Sequence, residues 1–91
     1  MTSRAVMLAA EAQRLLQERG YTVSRHASSM LVLYAGKLAA TIHVYPDLCR
    51  LNIYQPWSGL LAEKQAEIRR LLEGLCGRVE EAAAPRYPSE G

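Results

Sequence analysis

Two histidines and one arginine are the residues of this 91-residue chain whose side chains most readily suggest chemistry. His26 and His43 are the only histidines, and an exposed imidazole can act as a general acid or base. Arg50 can hold a phosphate or a carboxylate through its paired N–H groups. No carboxylate accompanies them on the predicted strands, because Asp47 falls in a turn. The three residues therefore indicate an exposed polar cluster, with a small catalytic centre as the rival hypothesis.

Other patterns that carry chemistry are not found in the sequence. The serine pair at 28–29 lacks the nucleophile-elbow motif, and the stretches 36–37 and 74–77 match no phosphate-binding loop. Cys49 and Cys76, the two cysteines, form no CxxC motif and lie near no histidine cluster, which argues against a zinc site. We predict two reduced core cysteines in a cytosolic protein, with a disulfide as the alternative. We expect neither a metal nor a cofactor.

Length and composition favour one small globular domain. The chain is 49% apolar, and its formal net charge is +2, which is too small to indicate nucleic acid or an anionic membrane by itself. The N-terminal apolar run of six residues is too short for a signal peptide. No segment approaches the roughly 18 apolar residues that a membrane span needs. We therefore expect a cytoplasmic protein.

The periodicity predicts an α+β fold with the order α-β-β-β-β-α. Apolar residues at helical spacing indicate a first helix over 3–19 and a second that begins after Trp57. The second helix ends near Gly77 or continues to Ala84, because glycine in a helix interior costs about 1 kcal/mol. Between the helices we predict a four-stranded antiparallel meander, with both helices packed on one face of it. Its strands are 21–27, 30–35, 38–45 and 48–54, the domain is 1–84, and 85–91 form a disordered tail.

Two predicted turns fix which side chains share a face of the sheet. A two-residue turn at 36–37 pairs Leu33 with Ala40, and a second at 46–47 pairs Val44 with Cys49. Alternate side chains of a strand point to the same face, so one face is almost purely apolar and lies under the helices. The opposite, open face then carries Thr22, Ser24, His26, Met30, Val32, Tyr34, Thr41, His43, Tyr45, Arg50, Asn52 and Tyr54.

The open face is the predicted site of partner binding. It is rich in tyrosine, histidine and arginine rather than in lysine and glutamate, and tyrosine and arginine are enriched at protein interfaces. The candidate contact residues are Tyr34, His43, Tyr45, Arg50, Asn52, Tyr54, His26 and Met30. The alternative is structural, because tyrosine is a good strand former and half-buried tyrosine faces are common.

The stretch from Gly20 to Pro46 resembles, in outline, double-stranded-RNA-binding-like domains and the small toxin ribonucleases of the HicA type. The shared order is helix end, Gly-Tyr, strand, hairpin, strand and proline. Those ribonucleases carry a Gly-Ser-His motif at the start of the second strand, where this chain has Ala27-Ser28-Ser29. His26 lies on the preceding strand, and the fourth strand is additional. The resemblance covers about half the chain and implies binding or cleavage of RNA.

These observations leave several functions open. The leading hypothesis is a non-enzymatic protein–protein interaction module, an inhibitor or adaptor, which in size and lack of motifs is similar to mobile-element proteins such as anti-CRISPR inhibitors. A second copy of the chain is an alternative partner, bound through the open face or through an overhanging second helix. The rival class is nucleic-acid binding, with ribonuclease activity centred on His26, His43 and Arg50. A small-molecule enzyme is the third alternative.

Overall fold

The structure is a computed structural model, and it describes residues 3–83. These residues form two helices, five strands and one short 3-10 helix, with four consecutive strands between the two helices. The elements are α1 Arg4–Glu18, β1 Thr22–His26, β2 Ser29–Tyr34, β3 Lys37–Val44, β4 Cys49–Ile53, the 3-10 helix Gln55–Trp57, α2 Ala62–Cys76 and β5 Val79–Ala83.

The five strands form one mixed sheet in chain order, β1-β2-β3-β4-β5. The first four strands are antiparallel neighbours, and β5 pairs in parallel with β4. Helix α2 is therefore the crossover that a parallel pair requires. The predicted α+β class with two helices is confirmed, whereas the four-stranded antiparallel meander is incomplete because the sequence analysis did not predict β5.

Helix α1 begins and ends within one residue of its predicted bounds. The Ser3 side chain accepts a hydrogen bond from the Val6 N–H at 3.1 Å, which satisfies one of the free N–H groups of the first turn. The chain leaves the helix through Gly20, whose φ of 93° favours glycine. The buried face of α1 consists of small and apolar residues at helical spacing, namely Ala5, Ala9, Ala12 and Leu16.

Both helices pack on one face of the sheet and share a single hydrophobic core with it. The one buried polar residue of that core, among those the structure describes, is Gln65 of α2, which is 3% exposed. Its Nε2 donates to the Ala39 carbonyl at 3.0 Å and to the Tyr54 carbonyl at 3.3 Å. These two bonds attach the helix to the backbone of β3 and of the residue that follows β4.

The predicted strand register is confirmed for β3 and β4 and wrong for β2. Val44 pairs with Cys49 as predicted, but the first hairpin turns at Ala35-Gly36, one residue early, and Tyr34 pairs with Lys37. The ladder then shifts between Val32 and Leu33, because β3 has an extra residue there. The early turn shifts the pairing by two residues and the bulge restores one, so most of β2 is paired one residue away from the predicted register. Since alternate residues face opposite sides, every side chain of β2 lies on the opposite face from the predicted one.

Met30 and Val32 are consequently core residues. They are 2% and 0% exposed, although the sequence analysis placed both on the open face. Leu31, which was predicted to be buried, is 46% exposed on the open face in their place.

The two cysteines form a disulfide between β4 and the last residue of α2. The Cα atoms of Cys49 and Cys76 are 6.0 Å apart, within the usual range for a disulfide. The prediction of two reduced core cysteines is therefore wrong, and the alternative that the sequence left open is correct. The sequence pattern missed it because the packing of α2 brings together residues 27 positions apart.

Helix α2 is shorter than the longer of the two predicted forms. It ends at Cys76, and Gly77 follows with a φ of 77°, which confirms the earlier of the two predicted ends. Its N-cap is Leu61, so the helix begins later in the chain than the predicted start after Trp57. With 15 residues the helix is about 22 Å long, so the overhang proposed for a helix-mediated dimer does not exist. The predicted disordered tail at 85–91 lies outside the described residues.

Candidate functional site

One row of polar residues crosses the open face of the sheet, with one residue from each strand. The strand pairing places His26 beside Ser29, Ser29 beside His43, His43 beside Arg50 and Arg50 beside Glu80. Neighbouring strands lie about 4.8 Å apart, so adjacent members of this polar row are within reach of one another. The row combines two imidazoles, a hydroxyl, a guanidinium and a carboxylate.

The members of the polar row contact each other and one tyrosine. The Ser29 hydroxyl lies 3.0 Å from Nδ1 and 3.1 Å from Nε2 of His43. The His43 and Tyr45 rings have their centroids 5.4 Å apart. The Arg50 guanidinium lies 5.8 Å from the Tyr45 ring centroid and donates to Glu80 Oε1 at 3.1 Å. Tyr45 is thus flanked by an imidazole and a guanidinium while it stays 38% exposed.

The hairpin between β1 and β2 positions the first two members of the row. His26 and Ser29 are the pair that closes its two-residue turn. Arg25 donates from Nε to Gln13 Oε1 of α1 and from Nη1 to the Ala27 carbonyl, both at 2.8 Å. A hydrogen bond from β3 also holds this turn, since the Val44 N–H donates to the Ser28 carbonyl at 2.9 Å.

The turn between β3 and β4 positions the other end of the row. Pro46 and Asp47 reverse the chain as predicted, and the Tyr45 N–H donates to the Leu48 carbonyl at 2.8 Å. Arg4 at the start of α1 donates from Nε to the Pro46 carbonyl at 3.0 Å. Tyr45 immediately precedes this turn and Arg50 is the second residue of β4, so the turn fixes their relative position.

A shallow concavity of about 230 Å³ lies at the end of the row near the β1–β2 turn. Its polar lining comes from hydroxyls and imidazoles, and the exposed aliphatic side chain among its lining residues is that of Leu31. The lining residues are Ser24, His26, Ser29, Met30, Leu31, Thr41, Ile42 and His43. Both histidines of the chain therefore border the same space.

The groups with clearly perturbed pKa values lie away from the open face. Burial, and then the hydrogen bond to Glu67, raise the pKa of Tyr21 well above its ordinary value. The Tyr21 hydroxyl donates to Glu67 Oε1 at 2.6 Å. The hydrogen bond from Arg69 lowers the pKa of Glu81. Both shifts arise in contacts between α2 and the sheet or the segment that leads into it, so they mark structural contacts.

Five of the eight predicted contact residues lie where the sequence placed them. His26, His43 and Arg50 belong to the polar row, Tyr45 contacts two of its members, and Asn52 lies on the same face one residue pair away. Their common placement on the open face is confirmed, while their role in partner binding stays a prediction.

The remaining three predicted contact residues lie off the open face or just beyond the end of a strand. Met30 is a core residue, for the reason given above. Tyr34 lies on the helical side, with its ring 5.5 Å from the Tyr21 ring and the Lys64 Nζ 4.6 Å from its centroid, because the bulge reverses the faces of β2. Tyr54 follows the end of β4 and is half-buried.

Three residues of the site were missed by the sequence analysis. The sequence places Ser29 in the break between two predicted strands, and the predicted register of β2 places Leu31 in the core. The two predicted ends of the second helix leave open whether Glu80 is helical, and neither of them predicts the strand in which it lies. A correct register for β2 would have identified the first two.

The residues that the structure describes include no group of three or more His, Cys, Asp and Glu residues that could hold a metal ion. Within the same part of the chain, no helix is both long enough and apolar enough to cross a membrane. The chain matches no protein-family model, no curated protein and no solved structure.

Proposed function

We propose that this chain is a non-enzymatic protein-interaction module that binds a protein partner through the open face of its sheet. The observation that carries the proposal is the position of Tyr45. Its ring lies 5.4 Å from the His43 ring and 5.8 Å from the Arg50 guanidinium, on a face that neither helix covers. An inhibitor or an adaptor would use the surface in the same way.

Tyrosine in such a setting suits a binding hot spot. It offers a large amphipathic contact area with only two side-chain torsions to immobilise. Tyr45 is already flanked by its two neighbours, so less conformational entropy is lost when a partner covers it. Leu31, 46% exposed on the same face, adds an apolar contact. Tyrosine and arginine are also among the residues most enriched in hot spots.

The charge of the face favours a protein partner over nucleic acid. Phosphate-driven binding needs several lysine or arginine side chains free to replace counterions. Among the described residues of the polar row, the one arginine, Arg50, is already bonded to Glu80 at 3.1 Å. The nearby Arg25 is engaged with Gln13 and with the Ala27 carbonyl.

The proposal is tested by comparing what three forms of the chain capture in the organism that encodes it. The Tyr45→Ala, Arg50→Ala double variant removes the two side chains of the proposed contact surface. Met7→Ala serves as the control, because Met7 lies on α1 and is 61% exposed. Quantitative mass spectrometry should find proteins that the wild type and the control retain and the double variant loses. Circular dichroism must show that all three are folded. If the double variant retains every captured protein, the proposal is wrong.

Nucleic-acid binding with ribonuclease activity is the second candidate. One observation supports it: His26, Ser29 and His43 line the same concavity, and paired imidazoles are suited to general acid–base catalysis. Fluorescence anisotropy with single-stranded RNA at low salt tests it. Binding that weakens steeply as salt is added would support this candidate, and a lack of binding at low salt would remove it.

The disulfide bears on the cellular location. Stable disulfides form in oxidising compartments and are rare in the cytosol of mesophiles. The prediction of a cytoplasmic protein drew partly on reduced cysteines, and the Cys49–Cys76 bond removes that support. Trapping of free thiols in intact cells decides the point, because a cytosolic pool should be alkylated at both cysteines.

A further inference from the structure

We propose that the concavity bordered by His26, Ser29 and His43 is a binding site for a phosphate monoester. It lies at the β1–β2 end of the polar row and has a volume of about 230 Å³, which is ample for one phosphate group. Its polar groups are two imidazoles and three hydroxyls. The proposal goes beyond protein binding by the open face and does not depend on it.

The contact between Ser29 and His43 leaves bonding capacity for a ligand. The hydroxyl is nearly equidistant from the two ring nitrogens, at 3.0 and 3.1 Å. One hydroxyl can make only one well-aligned hydrogen bond to a ring. The other ring nitrogen of His43 therefore remains available to the concavity, and so do the remaining hydrogen-bonding positions of the serine hydroxyl.

The polar lining favours an anion. Imidazoles and hydroxyls can all donate hydrogen bonds to phosphate oxygens. Among the described residues that line the concavity, none carries a carboxylate. The nearest carboxylate in the row is that of Glu80, which lies beyond Arg50 and is bonded to it. An anion placed between the imidazoles would thus meet donors without a fixed negative charge among the lining residues.

The apolar lining favours an ester over a free anion. Leu31 is 46% exposed and borders the same space, and it lies in the neighbouring residue row between Ser24 and Thr41. An ester carbon could pack against its side chain, while the phosphate oxygens face the histidines and hydroxyls.

The turn beside the concavity is built with a strained residue. Ala27 has a φ of 56°, a left-handed conformation that costs a residue with a Cβ roughly 1–2 kcal/mol. The Arg25 bond to the Ala27 carbonyl and the Val44 bond to the Ser28 carbonyl hold the turn in place. Strain that the surroundings maintain is common at binding sites. Here it fixes the positions of His26 and Ser29 before a ligand arrives.

The test is a set of NMR titrations at constant ionic strength with inorganic phosphate, O-phosphoserine and uridine monophosphate. We expect saturable shifts of the His26, Ser29 and His43 resonances, with tighter binding of the esters than of inorganic phosphate. His43→Ala should weaken the binding of each ligand by about tenfold or more, since a hydrogen bond to a charged group contributes about that factor. The ester that binds most tightly identifies the source of the phosphate.

Arg70→Ala is the matched control. Arg70 borders a different surface depression that also carries Lys64, so it reports on non-specific attraction of anions. The proposal requires unchanged affinity in this variant. It is overturned if the shifts do not saturate, if they centre on α2, or if the two variants lose affinity equally. It is also overturned if Ser29→Ala, which removes one hydroxyl, leaves the affinity of all three ligands unchanged.

Discussion

Reduction of the Cys49–Cys76 disulfide should destabilise the protein strongly without changing its fold. The bond closes a loop between residues 27 positions apart that contains the 3-10 helix and all of α2. The chain-entropy relation for a loop of this length gives about 3.5 kcal/mol at 25 °C. A domain of this size has a total free energy of unfolding of about 5–14 kcal/mol. The bond therefore accounts for a large share of the stability.

The corresponding shift in melting temperature is large enough to measure easily. For a domain of 60–100 residues, 1 kcal/mol corresponds to about 4–8 °C. We therefore expect thermal melts followed by circular dichroism to show a Tm about 15–25 °C lower in the presence of a phosphine reductant. Thiol labelling must confirm that both cysteines are reduced under these conditions.

The Cys76→Ser variant is the control for this experiment. It lacks the cross-link, and Cys76 is only half-buried, so the substitution perturbs packing less than one at the fully buried Cys49 would. Its Tm should lie close to that of the reduced wild type and should not respond to the reductant. A fully reduced wild-type chain that melts within about 2 °C of the oxidised one would refute the reasoning, because the loop entropy would then contribute almost nothing.

Three further predictions concern the framework around the site. Gln65→Leu keeps a side chain of similar size but loses the hydrogen bonds to the Ala39 and Tyr54 carbonyls, so urea unfolding should show a free energy of unfolding lower by about 1–3 kcal/mol. Ala35→Gly relieves a left-handed φ of 53° and should raise the free energy of unfolding by about 1 kcal/mol in the same assay. The Arg69 hydrogen bond lowers the pKa of Glu81 in the folded state. The stability that this pair contributes is therefore present above the ordinary glutamate pKa of 4.5, and it is lost as the pH falls through the lower pKa of the folded state. In Glu81→Gln, the free energy of urea unfolding should fall less over this acidic range than in the wild type.

The parts of the fold that the sequence predicts correctly are those set by local signals. Ser3 as a cap and Gly20 as a stop define α1. The turn at Pro46-Asp47 fixes the pairing of β3 with β4, and alternation then places His43 and Arg50 side by side. Each of these features depends on a few adjacent residues whose backbone preferences are strong.

The parts that it does not predict depend on contacts distant in the chain. The bulge at Ala39 shifts the pairing of β2 with β3 by one residue, and no local signal indicates such a bulge. Strand β5 reads as a helical continuation because it is rich in glutamate and alanine, and only pairing with β4 makes it a strand. The disulfide depends in turn on where α2 ends.

The same contrast between local signals and long-range contacts applies to the residues of the candidate site. The prediction is correct for four residues of the open face because the predicted alternation of their strands is the observed one. They are His26, His43, Tyr45 and Arg50. Tyr34 was not, because β2 was out of phase by one residue. A variant at Tyr34 would therefore test packing against Tyr21 and Lys64 rather than partner binding.

The most direct test of the central claim is the affinity of a captured partner for three purified forms of the chain. Isothermal titration calorimetry should compare the wild type, Tyr45→Ala and Met7→Ala. If Tyr45 is the hot spot of the open face, Tyr45→Ala should raise the Kd about 30-fold or more, while Met7→Ala leaves it unchanged. Equal affinity of all three forms, or a loss confined to Met7→Ala, would contradict binding through the open face.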